Sequence, residues 1–271
     1  MSTVSTTTQS NEPTVQKLFD LTGKVVLITG GCGHLGSAMS RALAEAGAAV
    51  VLTSREAVRA ETAAARLPGP AEHHGIALDQ MDPASIERGW NDALSRAGRI
   101  DVLVNNGHEG LASDLTNVTA EQFSRQLANA TGYFLLARLA HDHVVARKAP
   151  ASIVMLGSMY GLVGSYPDAY AGITNASPVA YHTLKGGILH MTRHLAVYWA
   201  ADGVRVNCLS PGPFPSDKAD PRMVERLCTK SPMKRMGVPS ELKGAIVFLA
   251  SDASSYMTGQ NLVIDGGWTS W

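Results

Sequence analysis

The chain has 271 residues, 45% hydrophobic and 17% charged, enough apolar material for one large domain burying about three quarters of its unfolded surface. Twenty-three Lys and Arg balance 23 Asp and Glu, so no global field favours nucleic acid or an anionic membrane, and any charge preference must be local. No apolar run approaches the ~20 residues of a membrane span, and Cys32, Cys208 and Cys228 show no metal-type or C-x-x-C spacing, which predicts reduced thiols in a soluble, cytoplasmic protein.

Residues 1–17 are rich in Ser and Thr and lack both arginine and an apolar h-region, so they fit neither a secretory signal nor a transit peptide. They are expected to form a disordered tail ahead of a single domain over 18–271. The next segments alternate: V25-V-L-I-T29, a helical stretch from Ser37 to Glu45, then A48-A-V-V-L-T53, which together predict a βαβ unit. Ala38, Met39, Ala42, Leu43 and Ala46 supply the helix's buried stripe, and Gly47 stands where a left-handed C-cap residue is expected.

Further apolar runs at 75–78, 100–104, 152–156, 204–209 and 261–264 mostly lack polar alternation, as strands of a parallel sheet covered on both faces do. Helical patterns such as Glu121–Val145 and Ala180–Ala200 provide the crossovers. The expected fold is a seven-stranded, doubly wound parallel sheet in an α/β/α sandwich of the Rossmann type, without repeats.

Between the first strand and first helix lies T29-G-G-C-G-H-L-G36, with G-x-G-x-x-G at Gly31, Gly33 and Gly36. Strand before and helix after make this a dinucleotide site, in which the bare backbone of Gly30 to Gly36, His34 and Leu35 included, receives a pyrophosphate on free N–H groups. The second strand ends in T53-S-R-E56. With Ser54, Arg55 there favours a 2′-phosphate and predicts NADP(H), while the adjacent Glu56 keeps NAD(H) possible. Asp79 and Gln80, after the third strand, are placed against an adenine, whereas Asp82 before Pro83 suits a helix N-cap. N105-N-G-H108 follows the fourth strand, where Asn106 and Gly107 would let a ligand approach the backbone.

Tyr181 and Lys185, in Y181-H-T-L-K185, are four apart at the start of a helix and project from one face, so they can share a ligand. From Leu21 to Trp271 the order of signals resembles the short-chain dehydrogenase/reductase family, most of all its gluconate 5-dehydrogenase-like members. Those signals are the glycine loop, N-N-G-H, a helix bearing Asn129, a strand ending at Ser158, the Tyr181/Lys185 pair, S210-P-G212 and T258-G-Q-N-L-V-I-D-G-G267. The resemblance implies an NAD(P)(H)-dependent oxidoreductase interconverting a secondary alcohol and a ketone. In it Tyr181 exchanges the proton, Lys185 also holds the nicotinamide ribose, Ser158 bonds the substrate oxygen, and Asn129 anchors a water chain reaching Lys185. A free phenol has a pKa near 10, so Tyr181 acting as a base near neutrality needs ~3 to 4 kcal/mol of anion stabilisation, for which the Lys185 ammonium is the natural source.

Pro211, Gly212 and Phe214, in S210-P-G-P-F-P215, would border the nicotinamide, and the poorly patterned segment 213–236 would be a mobile lid. Departures from the family's usual sequence are His34 in the glycine motif, Gly157 in place of a serine, and N-N-G-H in place of N-N-A-G. Ser158 and Tyr181 are also unusually far apart, and the inserted stretch 166–178 carries Tyr166, Asp168, Tyr170, Thr174 and Asn175. That polar and aromatic set suits a sugar acid or polyol, although a surface loop has the same composition. The alternatives are a ketoacyl-thioester reductase, for which Lys218, Arg222, Arg226, Lys230, Lys234 and Arg235 would be the carrier-binding patch, and a non-catalytic dinucleotide sensor. No metal is expected: His141 and His143 point to different sides of a helix, and His190 and His194 share a face without an E-x-x-H context. Membership in such a family implies a homotetramer or homodimer acting on a small carbonyl or alcohol substrate.

Overall fold

Strands dominated by apolar residues on both faces are buried between two layers of helices, and this sequence builds such a sheet. The computed structural model describes residues 12–111, 115–175 and 178–271. Its strands are β1 (Val25–Ile28), β2 (Ala49–Ser54), β3 (His74–Ala77), β4 (Val102–Asn105), β5 (Ala151–Leu156), β6 (Val204–Pro211) and β7 (Asn261–Ile264). All pair in parallel, in the order β3-β2-β1-β4-β5-β6-β7. The order reverses between β1 and β4, registered Val26 on Val102 and Ile28 on Val104, and a crevice opens at the carboxyl ends of the strands there.

The period-two pleat decides which layer each side chain enters. Leu27, Val51, Leu103, Ile153 and Met155 point to one face, where α4 (Pro83–Ala97), α5 (Ala120–Arg147) and α7 (Val179–Trp199) cover them with Trp90, Leu136 and Ile188. Val26, Ile28, Leu52, Val104 and Val154 point to the other, under α2 (His34–Glu45), α3 (Ala57–Ala64) and α9 (Lys243–Ala250). Local signals set the helix ends. The Asp82 carboxylate accepts from the Ala84 N–H at 2.9 Å with Pro83 in the first turn, as the sequence predicts. Thr119 and Gln122 form a reciprocal capping box at α5.

Three expectations are revised. Helix α2 begins at His34, not Ser37, because Gly33 already serves as its N-cap. A short helix, α1 (Val15–Phe19), capped by Thr14, occupies the end of the stretch read as a tail, and Phe19 packs near Phe248; residues 1–11 lie outside the described residues. The expected lid contains an amphipathic helix, α8 (Pro221–Lys230), and the insertion before α7 contains the single turn α6 (Pro167–Tyr170). Residues 176 and 177 of that insertion lie outside the described residues. Among the described residues no helix is long and apolar enough to cross a membrane.

Candidate active site

The carboxyl ends of β1 to β4 enclose a cleft of about 340 Å³. Its floor is the turn between β1 and α2, where a methyl on Gly36 would sit 2.2 Å from the Gly30 carbonyl oxygen, and Gly30 itself holds a φ of +61°. The first N–H groups of α2 therefore face a bare backbone cradle, with no side chain to block an anion. Gly30, Gly33, His34, Leu35 and Gly36 line it as predicted. Gly31 does not: it is turned toward Leu52 and Ser40, so it serves helix–sheet packing. Asn106 and Gly107 line the cleft too, and the Asn106 amide braces the cradle, donating to the Thr29 and Gly30 carbonyls at 2.9 and 3.1 Å. Thr29 Oγ1 in turn accepts from the N–H groups of Asn106 and Gly107.

Ser54, Arg55, Asp79 and Gln80 line the far wall as predicted, together with Arg59, which the sequence reading missed. Arg59 lies in the first turn of α3, four residues beyond Arg55, so the spacing itself was the available signal. Its guanidinium donates to the Cys32 carbonyl at 3.4 Å, across the mouth of the cradle. Two guanidinium groups thus stand where the second strand ends. Gln80 contributes a buried Oε1 that has no hydrogen-bond partner among the described residues. The bare cradle, the two arginines and this orphan acceptor fit a nicotinamide dinucleotide.

The loop after β4 is fastened from α5 by two amides. Asn129 Oδ1 accepts from Gln80 Nε2 at 2.8 Å and from the Glu109 N–H at 2.9 Å, while its Nδ2 donates to the Glu109 and Gln126 carbonyls. Both lone pairs and both N–H groups are thereby used. The Asn129 side chain thereby clasps residues 80 and 109. Gln126 Oε1 accepts from the Leu111 N–H, and its Nε2 donates to the Glu109 carbonyl and meets His108 Nε2 at 3.3 Å. Glu109 is paired bidentately with Arg125, whose hydrogen bonds hold its carboxyl below the usual range, and lies 3.9 Å from Arg55 across the cleft.

Ser158, Tyr181 and Lys185 gather beside this loop. Ser158 follows β5, where its hydroxyl accepts from the Tyr160 N–H at 3.1 Å and hydrogen-bonds the Tyr181 phenol. Tyr181 and Lys185 rise from the first turns of α7, with Lys185 Nζ 5.6 Å from the Tyr181 ring centroid and donating to the Leu156 carbonyl at 2.7 Å. Burial pushes the lysine down to about 8. Burial pushes the Tyr181 phenol upward, and the bond to Ser158 opposes the rise. His108 meets Tyr181 edge-on, ring centroids 5.2 Å apart, and its imidazole is pushed down to about 4 by burial and by Lys185.

Pro211 ends β6 and Gly212 follows it, its N–H donating to the Ile264 carbonyl; both lie outside the residues that line the cleft. Phe214 is also elsewhere, its ring packed over Gly237 in a smaller hollow with Met233 and Ile264. The insertion forms a wall. Tyr166, Ala169 and Tyr170 share an apolar cluster with Met223 and Leu227 of α8, Trp268 and Tyr181 itself. Tyr170 and Tyr160 hydroxyls meet at 2.5 Å, Asp168 pairs with Lys230, and Arg226 donates to the Asp168 and Ala171 carbonyls. Thr174 and Asn175 are exposed. Of the six basic residues proposed as a carrier patch, Arg222, Lys230 and Arg235 are paired with Asp220, Asp168 and Glu241. Arg226 and Lys234 are spent on carbonyls.

Residues 33–269 match the family model described as enoyl-(acyl carrier protein) reductase. The chain is 33% identical over 265 residues to an NADP-dependent mannitol dehydrogenase of Alternaria alternata, covering 94% of this chain and 95% of that one. It is 35% identical over 264 residues to a galactitol 2-dehydrogenase (L-tagatose-forming) of Cereibacter sphaeroides, covering 94% and 98%. Its fold superposes with a TM-score of 0.83 on a gluconate 5-dehydrogenase of Burkholderia cenocepacia crystallised with NADP and tartrate, at 29% identity over 94% of this chain and 99% of that one.

Proposed function

The chain belongs to the short-chain dehydrogenase/reductase family and is a nicotinamide-dependent oxidoreductase of secondary alcohols and ketones; from that premise we propose a polyol or ketose as its substrate, Tyr181 as its proton carrier and NADP(H) as its preferred cofactor. The observation that carries this reading is the juxtaposition of Ser158, Tyr181 and Lys185 with a glycine cradle at one sheet edge. A bound nicotinamide supplies or accepts the hydride. Gly33, Leu35 and Gly36 would hold its pyrophosphate, and Arg55 and Arg59 its 2′-phosphate; with NAD(H) the two arginines lose that partner.

In reduction, the neutral Tyr181 phenol donates its proton to the carbonyl oxygen, which the Ser158 hydroxyl orients. Burial suits this half of the reaction, because a raised phenol stays protonated near neutrality. In oxidation the phenol must lose its proton, and the Lys185 ammonium nearby favours the phenolate through its field. Substrate polarity is supported by the dehydrogenases of mannitol and galactitol among the relatives and by the tyrosine-rich wall that faces Tyr181. The neutralised basic residues Arg222 and Lys230 of α8, and Arg235 beyond it, weigh against an acidic carrier protein. The working form is a homotetramer in this reading.

The decisive experiment follows NADPH and NADH oxidation with 2-ketoses, keto-sugar acids, simple ketones and acetoacetyl thioesters, beside Tyr181→Phe. Turnover on a ketose or keto-acid, lost by about 10²- to 10⁴-fold in the variant with NADPH binding retained, is the expected result. Equal activity of the variant would remove Tyr181 from its role, and preference for the thioester would replace the substrate class.

A further inference from the structure

We propose that His108 is a specificity residue: its imidazole, edge-on to Tyr181, uses its N–H to bind an oxygen of the substrate adjacent to the reacting carbon, selecting hydroxyketones and polyols over simple ketones. The inference deepens the reading of Tyr181 as proton carrier and rests on it. A glycine at this place would leave bare backbone, whereas here a ring fills the space against the Tyr181 edge. The side chain lines the cleft and is open to it, while the surrounding loop is fastened down.

The tautomer follows from the amide that holds it. Gln126 is oriented by the Leu111 N–H on its oxygen and by the Glu109 carbonyl on its nitrogen, so the group meeting His108 Nε2 at 3.3 Å is an N–H donor. Nε2 is therefore the acceptor of a neutral imidazole, and the proton sits on Nδ1. No acidic partner binds the ring among the described residues, and the nearby Lys185 ammonium opposes a second proton. A fixed, neutral N–H donor next to a proton-donating phenol is matched by two neighbouring oxygens on the substrate, one reacting and one bound.

The test compares wild type, His108→Phe and His108→Asn on 3-hydroxy-2-butanone and 2-butanone with NADPH, a pair differing by one hydroxyl. Phe keeps the ring against Tyr181 and deletes the N–H; Asn restores a donor. The expected result is a kcat/KM ratio, hydroxylated over simple, that falls about tenfold in His108→Phe and recovers in His108→Asn, the worth of one hydrogen bond. Loss of folded enzyme scales both substrates alike and leaves the ratio untouched. An unchanged ratio in His108→Phe, or an equal fall on both ketones, would overturn the proposal while leaving Tyr181 in place. A wild type that reduces neither ketone, nor any ketose, would overturn the reading on which it rests.

Discussion

His108 illustrates how a single side chain is tuned by its surroundings at a cost in stability. Free histidine takes its proton near 6.5, but burial and Lys185 delay protonation of His108 in the fold until about pH 4. Between those values the unfolded chain binds more protons than the folded one. Its stabilising contribution is therefore complete above pH 6.5 and is lost as pH falls toward 4. The drop in Tm between pH 7 and 4.5 should be smaller in His108→Asn than in wild type; an equal drop would assign the acid sensitivity to other groups. Arg55 and Arg59 permit a second prediction at this scale. Replacing both by Ala should raise KM for NADPH about tenfold or more and leave KM for NADH unchanged, as measured by steady-state kinetics with each cofactor. Equal losses on both cofactors would take the 2′-phosphate away from this pair. Residues whose role follows from local spacing were legible in the sequence: Tyr181 and Lys185 share a helix face, and Gly33 and Gly36 follow a strand. The clasping contacts of Asn129 and Gln126 were not, because their partners are set by tertiary contact; Gln80 reaches Asn129 from 49 residues away.

Elements repeat that division. All seven strands were readable as apolar runs, since a sheet covered on both faces demands them. Helix α8 was not, because its buried side rests on Leu227 and the half-buried Met223 among charged neighbours, too sparse a stripe to stand out in a Pro-rich segment. The insertion likewise read as a loop, yet α6 is pinned to α8. Arg226 supplies much of that pinning with two bonds to carbonyls, at 3.2 Å to Asp168 and 2.7 Å to Ala171, while Lys230 holds the Asp168 carboxylate. Because Tyr181 shares the apolar cluster beneath these elements, loosening them should be felt by the substrate more than by the fold. For Arg226→Ala we expect faster proteolytic cleavage near residues 171–178 and a KM for the ketone raised about threefold. The accompanying loss of ~1 kcal/mol lowers Tm by about 2 to 4 °C. An unchanged KM with the same loss of Tm would make the clasp purely structural.

Across the whole molecule, the site sits at one end of α7 and an unpartnered apolar surface at the other. Tyr181 and Lys185 occupy the first turns of this helix, whereas Val197 and Tyr198 near its last turn are 78% and 68% exposed. Isolated apolar side chains on a surface are ordinary; two adjacent ones at the end of a helix that carries the reacting groups are the patch that the proposed tetramer would bury. A symmetric contact there repeats the same patch on both subunits, so a change at one position acts twice. Four copies of a 28.6 kDa chain give 4 × 28.6, about 114 kDa. Light scattering of the wild type should return that mass, and Val197→Asp with Tyr198→Asp should reduce it to a half or a quarter by setting like charges face to face. Burial in the assembly would also stabilise α7 by mass action, so the variant's Tm should lose its dependence on protein concentration. A wild type that scatters as one chain at all concentrations would end the tetramer, and it would leave the exposed end of α7 as plain surface with no part in holding Tyr181 in place.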